Sequence, residues 1–243
     1  MQTFICMKWG TRYPADYANR LWSAIQRNTR RPSRLVCYTD DPQDLAAGIE
    51  HFPLPPYEAP PHMQRDGWRK LSLWAPTLQG ASGDCLFLDL DLVITGPLDE
   101  FFDYEPDKSY CVVENWSQKG RGIGNTSVFR FRVGANPYIL DVFQKAPQAQ
   151  KDTWRIEQTY ISRTVREQVF FPADWCVSFK HSLLPRFPLN LVMAPRLPIG
   201  TRIVAFTGKP DPDEARDGIW PAKGWKKLYK QVRPTPWIAE HWR

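Results

Sequence analysis

Asp89 and Asp91 stand two residues apart in the apolar run CLFLDLDLVITGPLDEFF, residues 85–102. Strand side chains alternate faces, so in an extended chain the two carboxylates project together. Neighbouring like charges raise one another's pKa unless a cation or a proton lies between them. The pair therefore calls for a bound metal ion, a shared proton, or the mouth of a site where the strand has just ended. Gly96 and Pro97 punctuate the chain soon afterwards, so a strand end running into a polar turn is the plain structural alternative.

The elements around the pair must bring it to a cleft. TFICMKWG reads as a first strand, PADYANRLWSAIQRNT as a helix with Tyr17, Leu21, Trp22 and Ile25 near helical spacing, and SRLVCYTDDP as a second strand. Strand, helix, strand is the unit of a parallel layered α/β domain. A Pro-rich connection follows, then GWRKLSLWAPTL as an aromatic helix and the strand that carries the aspartates. YCVVEN and NTSVFRFRV read as further strands, NPYILDVFQKA and RIEQTYISRTVREQ as helices, and TRIVAFTGKPDPDE as a last strand entering a loop. The expected fold is a single α/β domain over residues 1–215, with a mixed, mostly parallel sheet flanked by helices. Residues 216–243 read as a basic, Trp-rich appendage. Polar residues recur where these strands end: Trp9 and Gly10, Asp40 and Asp41, Asp89 and Asp91, Gly208 and Lys209. Ligands of open α/β sheets bind beyond such carboxyl ends.

Composition bounds the rest. Among 243 residues, 42% are hydrophobic and 24% charged, ordinary values for a folded chain. The five cysteines are far apart in apolar surroundings and without zinc-ligand spacing, which predicts buried free thiols in a reducing compartment. The sequence contains no long apolar span and no signal pattern, which predicts a soluble cytoplasmic protein. The four histidines show no metal spacing, and QKGRGIGN lacks a phosphate-loop frame, so residues 119–124 read as a flexible lid. From Arg216 onward there are seven Lys and Arg against Asp217 and Glu240, most of the net charge of +6. With its aromatics, and with no nucleic-acid module beside it, this tail suggests peripheral contact with an anionic membrane or a lipid-linked acceptor, not with nucleic acid.

Two chemistries compete for FLDLDLVITG. A phosphatase of the haloacid dehalogenase type takes its nucleophile and acid from such a strand end, but needs a downstream Ser or Thr, a Lys and a second acidic pair; here the only adjacent aspartates, Asp40 and Asp41, come before the motif. The wider pattern resembles the GT-A-fold glycosyltransferases, especially bacterial members similar to the glycogenin and lipopolysaccharide galactosyltransferase group. It runs through KWGTRYP, YTDDP, GWRKLSLW, CLFLDLDLVITGPLDEFF, GNTSVFRF, EQTYIS and FTGKPDPDE. The resemblance implies transfer of a sugar from a nucleoside-diphosphate sugar, UDP-sugar first, to a glycan or lipid-linked acceptor. It also implies Mn²⁺ or Mg²⁺ on Asp91 and Asp89, with Asp89 reaching the ribose. Trp9 and Asp40 would lie by base and ribose, Lys70 and Asn125 by phosphates and sugar, and Gly208 and Lys209 in the last donor loop. Hard oxygen ligands suit these cations, which would neutralise a diphosphate leaving group.

Two departures from the family pattern matter. Thr207 stands where relatives carry a metal-binding histidine, which keeps open a non-catalytic nucleotide-sugar-binding or partner-binding protein on the same fold. Glu157-Gln158 stands where many relatives have Asp-Gln. If the reaction inverts, Glu157 is the residue to take the acceptor's proton as general base.

Overall fold

The computed structural model describes residues 1–243. Seven strands make the main sheet: β1 (Gln2–Lys8), β2 (Ser33–Thr39), β3 (Ile49–Phe52), β4 (Asp84–Leu88), β6 (Tyr110–Glu114), β7 (Gly124–Arg132) and β8 (Val169–Phe170). Their order across it is β3-β2-β1-β4-β7-β6-β8. A second sheet is built from β5 (Leu92–Ile94), β9 (Cys176–Ser178) and β10 (Ile203–Ala205), in the order β5-β10-β9. β3, β2, β1 and β4 run parallel, β7 is antiparallel to both β4 and β6, and β8 is parallel to β6. The sheet is thus mixed and mostly parallel, as expected.

Every residue of β1 is buried, because the strand is central and covered on both faces. On one face lies α1 (Ala15–Arg27), which buries Tyr17, Ala18, Leu21, Ala24 and Ile25. On the other lie the 3₁₀ segment Gly67–Trp74, α3 (Tyr138–Lys145) and α5 (Glu157–Thr164), around stacked Trp68, Phe143 and Tyr57. The remaining α-helices are the short α2 (Glu100–Asp103), α4 (Pro147–Trp154), α6 (Pro212–Asp217) and α7 (Trp237–His241).

The apolar run that holds the two carboxylates is two strands, not one. β4 ends at Leu88, the chain bends through Asp89-Leu90-Asp91, and β5 leaves for the second sheet. The aromatic segment expected to be a helix is 3₁₀; Asp66 caps it, its carboxylate accepting from Trp68 N at 3.0 Å. β3 and α4 fall in stretches to which the sequence reading assigns no element. Past the bend, α2 and its flanks are held by the buried Arg130 guanidinium, which donates to the carbonyls of Phe101 (3.1 Å), Phe102 (3.2 Å), Glu105 (2.6 Å) and Lys108 (3.1 Å).

The expected lid, residues 119–124, is a tethered turn. Gly120 N donates to Glu114 Oε1 (2.7 Å), while the Arg121 and Gly122 carbonyls accept from Arg163 (3.1 Å) and Gln168 (2.7 Å). The C-terminal segment returns to the core: Val232, Ile238 and Trp242 are buried, and Trp242 packs edge-on against Tyr17 under Arg20. All five cysteines are buried and free. No helix is long and apolar enough to cross a membrane.

Candidate active site

A cleft of about 530 Å³ opens beyond the carboxyl ends of β1 and β4. Its walls come from the β1–α1 loop (Trp9 to Tyr13), from the start of the 3₁₀ segment (Arg65 to Gly67, and Lys70), and from Asp89 to Asp91. Of the residues singled out on sequence, Trp9, Gly10, Lys70, Asp89 and Asp91 line it directly.

The two aspartates have different partners. Lys70, buried, donates to Asp89 Oδ2 at 2.7 Å and lies 2.6 Å from Oδ1, so its ammonium straddles the carboxylate. Burial alone would lower the Lys70 pKa; the charges of Asp89 and Glu157 outweigh it and hold the ammonium above its ordinary value. Asp91 is only 8% exposed and has no cation of its own; Tyr13 Oη donates to its Oδ2 at 2.8 Å. Burial first, and the Asp89 charge second, push the Asp91 carboxyl up to about 7 against the opposing pull of Tyr13 and Lys70. Tyr13 is pushed upward in turn by burial and by Asp91.

The other predicted residues sit around this centre. Asp40 accepts from Gly10 N at 3.2 Å (Oδ1) and 3.1 Å (Oδ2), bracing the turn that carries Trp9. Glu157 opens α5 and is buried, its Oε1 accepting from Thr126 Oγ1 at 2.9 Å. Gly67, on the cleft wall, leaves room for it: a Cβ there would lie 3.3 Å from Glu157 Oε2. Asn125 Nδ2 donates to Gln158 Oε1 at 3.4 Å, and Asn115 donates to the same oxygen at 3.0 Å.

Phe206 N donates to the Asp91 carbonyl (3.3 Å), which brings the loop after β10 against the bend. There Thr207 Oγ1 is 3.4 Å from Ser178 Oγ, and Gly208 takes a left-handed φ of 74°. Lys209 reaches forward to Asp211 (2.7 Å) and Glu214 (2.6 Å). Those two acids also form the capping box that starts α6, with Pro212 at its first position and Gly218 in a left-handed C-cap. Thr207, Gly208 and Lys209 do not line the cleft.

Sequence reasoning passed over Arg12, Tyr13, Arg65 and Gly67. The first two lie in KWGTRYP, a stretch that carries the family resemblance just past a strand end, and those are the signals that could have marked them. Arg12, 57% exposed, approaches Asp211 at 3.4 Å and covers the Tyr13 ring at 4.9 Å.

The fold resembles known structures. The backbone matches the galactosyltransferase LgtC solved with donor and acceptor sugar analogs, with a TM-score of 0.60 and 9% identity over 87% of this chain and 89% of that one. It also matches the bifunctional glycosyltransferase WbbM (0.57, 12%, 87% of this chain) and the glycosyltransferase GlyE of Streptococcus pneumoniae TIGR4 (0.57, 12%, 87%). The chain has the GT-A glycosyltransferase fold. It spans 46% of WbbM and 56% of GlyE, so those proteins carry further parts. At these identities the likeness is one of fold. Neither a family model nor a curated protein matches the sequence.

In this chain no group of three His, Cys, Asp or Glu side chains is placed to hold a metal ion. What the bend offers is a smaller set: the cation-free Asp91 carboxylate, with Asp89 beside it already neutralised by Lys70. A buried carboxylate pushed toward protonation for want of a positive charge fits a hard, oxygen-seeking divalent ion whose other ligands come from a substrate or water.

Proposed function

We propose that the protein is a glycosyltransferase that takes a sugar from a nucleoside-diphosphate sugar, UDP-sugar first, and passes it to a glycan or lipid-linked acceptor. The observation that carries the reading is Asp91: a buried carboxylate without a cation, at the bend between two sheets, on the wall of the main cleft of a GT-A fold. Trp9 offers a flat face for the base, and the Asp40-braced turn places it. Lys70 and Arg12 supply fixed and mobile positive charge for the diphosphate, and Lys209 adds a third cation if it leaves Asp211. A Mn²⁺ or Mg²⁺ ion held by Asp91 and Asp89 would neutralise charge on the departing diphosphate.

Glu157 keeps Lys70 charged and lies behind a glycine at the cleft wall, a position from which it could accept the acceptor's proton or support the sugar. Gln158 shares the polar cluster with Asn115 and Asn125. A glutamine has drawn attention in LgtC as well, where an active-site variant with glutamate in its place has been solved.

The test is hydrolysis or transfer from a panel of nucleotide sugars with and without Mn²⁺. Metal-dependent release of UDP supports the reading. Tight UDP binding without turnover of any donor would favour the binding-only alternative. Mg²⁺-dependent cleavage of p-nitrophenyl phosphate, abolished by Asp89→Asn, would favour the phosphatase.

A further inference from the structure

Two segments with no task in sugar transfer lie side by side. Residues 184–200 meet residues 218–235 where Asn190 Nδ2 donates to the carbonyls of Tyr229 (2.8 Å) and Gln231 (2.9 Å). Trp237 Nε1 adds a bond to the Pro195 carbonyl (3.0 Å). The two segments together hold seven Lys and Arg and no Asp or Glu. All the ion pairs of the protein lie elsewhere, so these seven charges have no carboxylate partner, and all but half-buried Lys230 are exposed.

Apolar side chains stand out among the charges. Phe187 is 59% exposed, Val192 75%, Trp225 72% and Leu228 72%, with Leu189 and Met193 also exposed. An apolar group of this size on a protein surface marks an interaction site. The tail also forms a recess of about 480 Å³ walled by Trp220, Lys227, Lys230 and Arg233, in which the Lys230 ammonium lies 5.9 Å from the Trp220 ring. No carboxylate lines it, which suits a phosphate group.

We infer that this composite face docks the protein on a bilayer containing anionic phospholipid, its apolar side chains entering the boundary between headgroups and acyl chains. The mixture of groups decides between partners. Nucleic acid would use the cations and Trp225 but gains nothing from exposed Leu189, Val192, Met193 and Leu228, whereas a lipid surface uses both kinds. Four of the six apolar residues come from residues 187–193, so the face is more than the basic tail. α6 joins it to the cleft: Asp211, beside Arg12, and Gly218, in the recess, are separated by six helical residues, about 9 Å. A docked molecule would hold its cleft close to the membrane, and this bears on a lipid-linked acceptor only if the transferase reading is right.

Co-sedimentation of the full chain with phosphatidylcholine vesicles, with and without phosphatidylglycerol, tests the inference. Binding should need the anionic lipid. Lys226→Gln with Lys227→Gln should weaken partitioning about 30-fold at low salt. Val192→Glu with Leu228→Glu, both at exposed positions that leave folding intact, should weaken it at least about tenfold and remove quenching of tryptophan fluorescence by brominated acyl chains. Inorganic phosphate at millimolar concentration should not compete; if it displaces the protein from vesicles, the recess is a soluble-phosphate site and the docking inference fails. It fails equally if the protein binds neutral and anionic vesicles alike, if Val192→Glu with Leu228→Glu binds as the parent does, or if single-stranded RNA strips the protein from vesicles. Donor hydrolysis measured without lipid on the same samples is independent of these outcomes, so loss of docking and loss of the transferase reading are distinguishable.

Discussion

Replacing Asp91 by Asn should stabilise the metal-free protein while abolishing its chemistry. In the folded chain the Asp91 carboxyl is pushed from 3.8 to about 7, so between those pH values the folded state holds a proton that the unfolded state has lost. Stability therefore falls as pH rises from about 4 to about 7, and the loss is complete above the folded value. A displacement of about three pK units corresponds to about 4 kcal/mol at most, so about 2–4 kcal/mol is the range to expect at pH 8. Asn is nearly isosteric, still accepts from Tyr13 Oη, and removes the repulsion from Asp89. In EDTA at pH 8, Asp91→Asn should melt at least about 5 °C above the parent, and at pH 4.5 the two should nearly coincide. With Mn²⁺ and UDP the order should reverse, since only the parent gains from binding. Donor turnover should drop at least about a hundredfold. Thermal melts across pH, paired with a UDP-release assay, read both effects. A variant less stable than the parent in EDTA at pH 8, or a gain independent of pH, would refute the account of Asp91 as an uncompensated buried carboxylate; unchanged turnover at saturating Mn²⁺ would refute its role with the metal.

Three further outcomes follow from neighbouring residues. Thr207→His should tighten Mn²⁺ more in the free protein than in the UDP complex, and in the parent UDP should tighten Mn²⁺ by linkage; calorimetric titration showing equal Mn²⁺ affinity with and without UDP would shift the neutralising charge to Lys209. Lys70→Met should free Asp89 and strengthen Mn²⁺ binding, while weakening metal-free UDP binding several-fold or more; weaker Mn²⁺ binding by the same titration would show that Lys70 supports the ion rather than competing with it. Gly134→Ala should cost about 2–4 kcal/mol, because φ is 76° there and a Cβ would come 2.5 Å from the Pro76 carbonyl oxygen. A melting temperature within about 2 °C of the parent would show that the turn relaxes freely.

Much of this molecule is written locally. The apolar run FICM of β1 and the helical spacing of Tyr17, Leu21 and Ile25 each depend on neighbours a few residues away, and each is legible in the chain; the Asp-Pro-Asp-Glu to Gly frame of α6 is as local, although those residues read as a loop. Asp89 and Asp91 are legible too, because carboxylates inside an apolar run violate burial rules unless something compensates them. What the sequence could not show is how the two differ. Lys70 is 19 residues from Asp89 and Tyr13 is 78 from Asp91; the pairing of β1 with β4 brings Tyr13 to Asp91, the packing of the 3₁₀ segment on the sheet brings Lys70 to Asp89, and no local pattern records either. The break between β4 and β5 is hidden for the same reason, since an apolar run reads alike whether it crosses one sheet or passes between two. Gly67 marks no turn by sequence and matters only because Glu157, 90 residues on, packs against it. Residue types and spacing thus determined that a charged strand end lies in an α/β domain. Tertiary packing decided which carboxylate is neutralised and which is left without a cation, because burial and long-range partners, unlike periodicity, exist only once the sheet has formed.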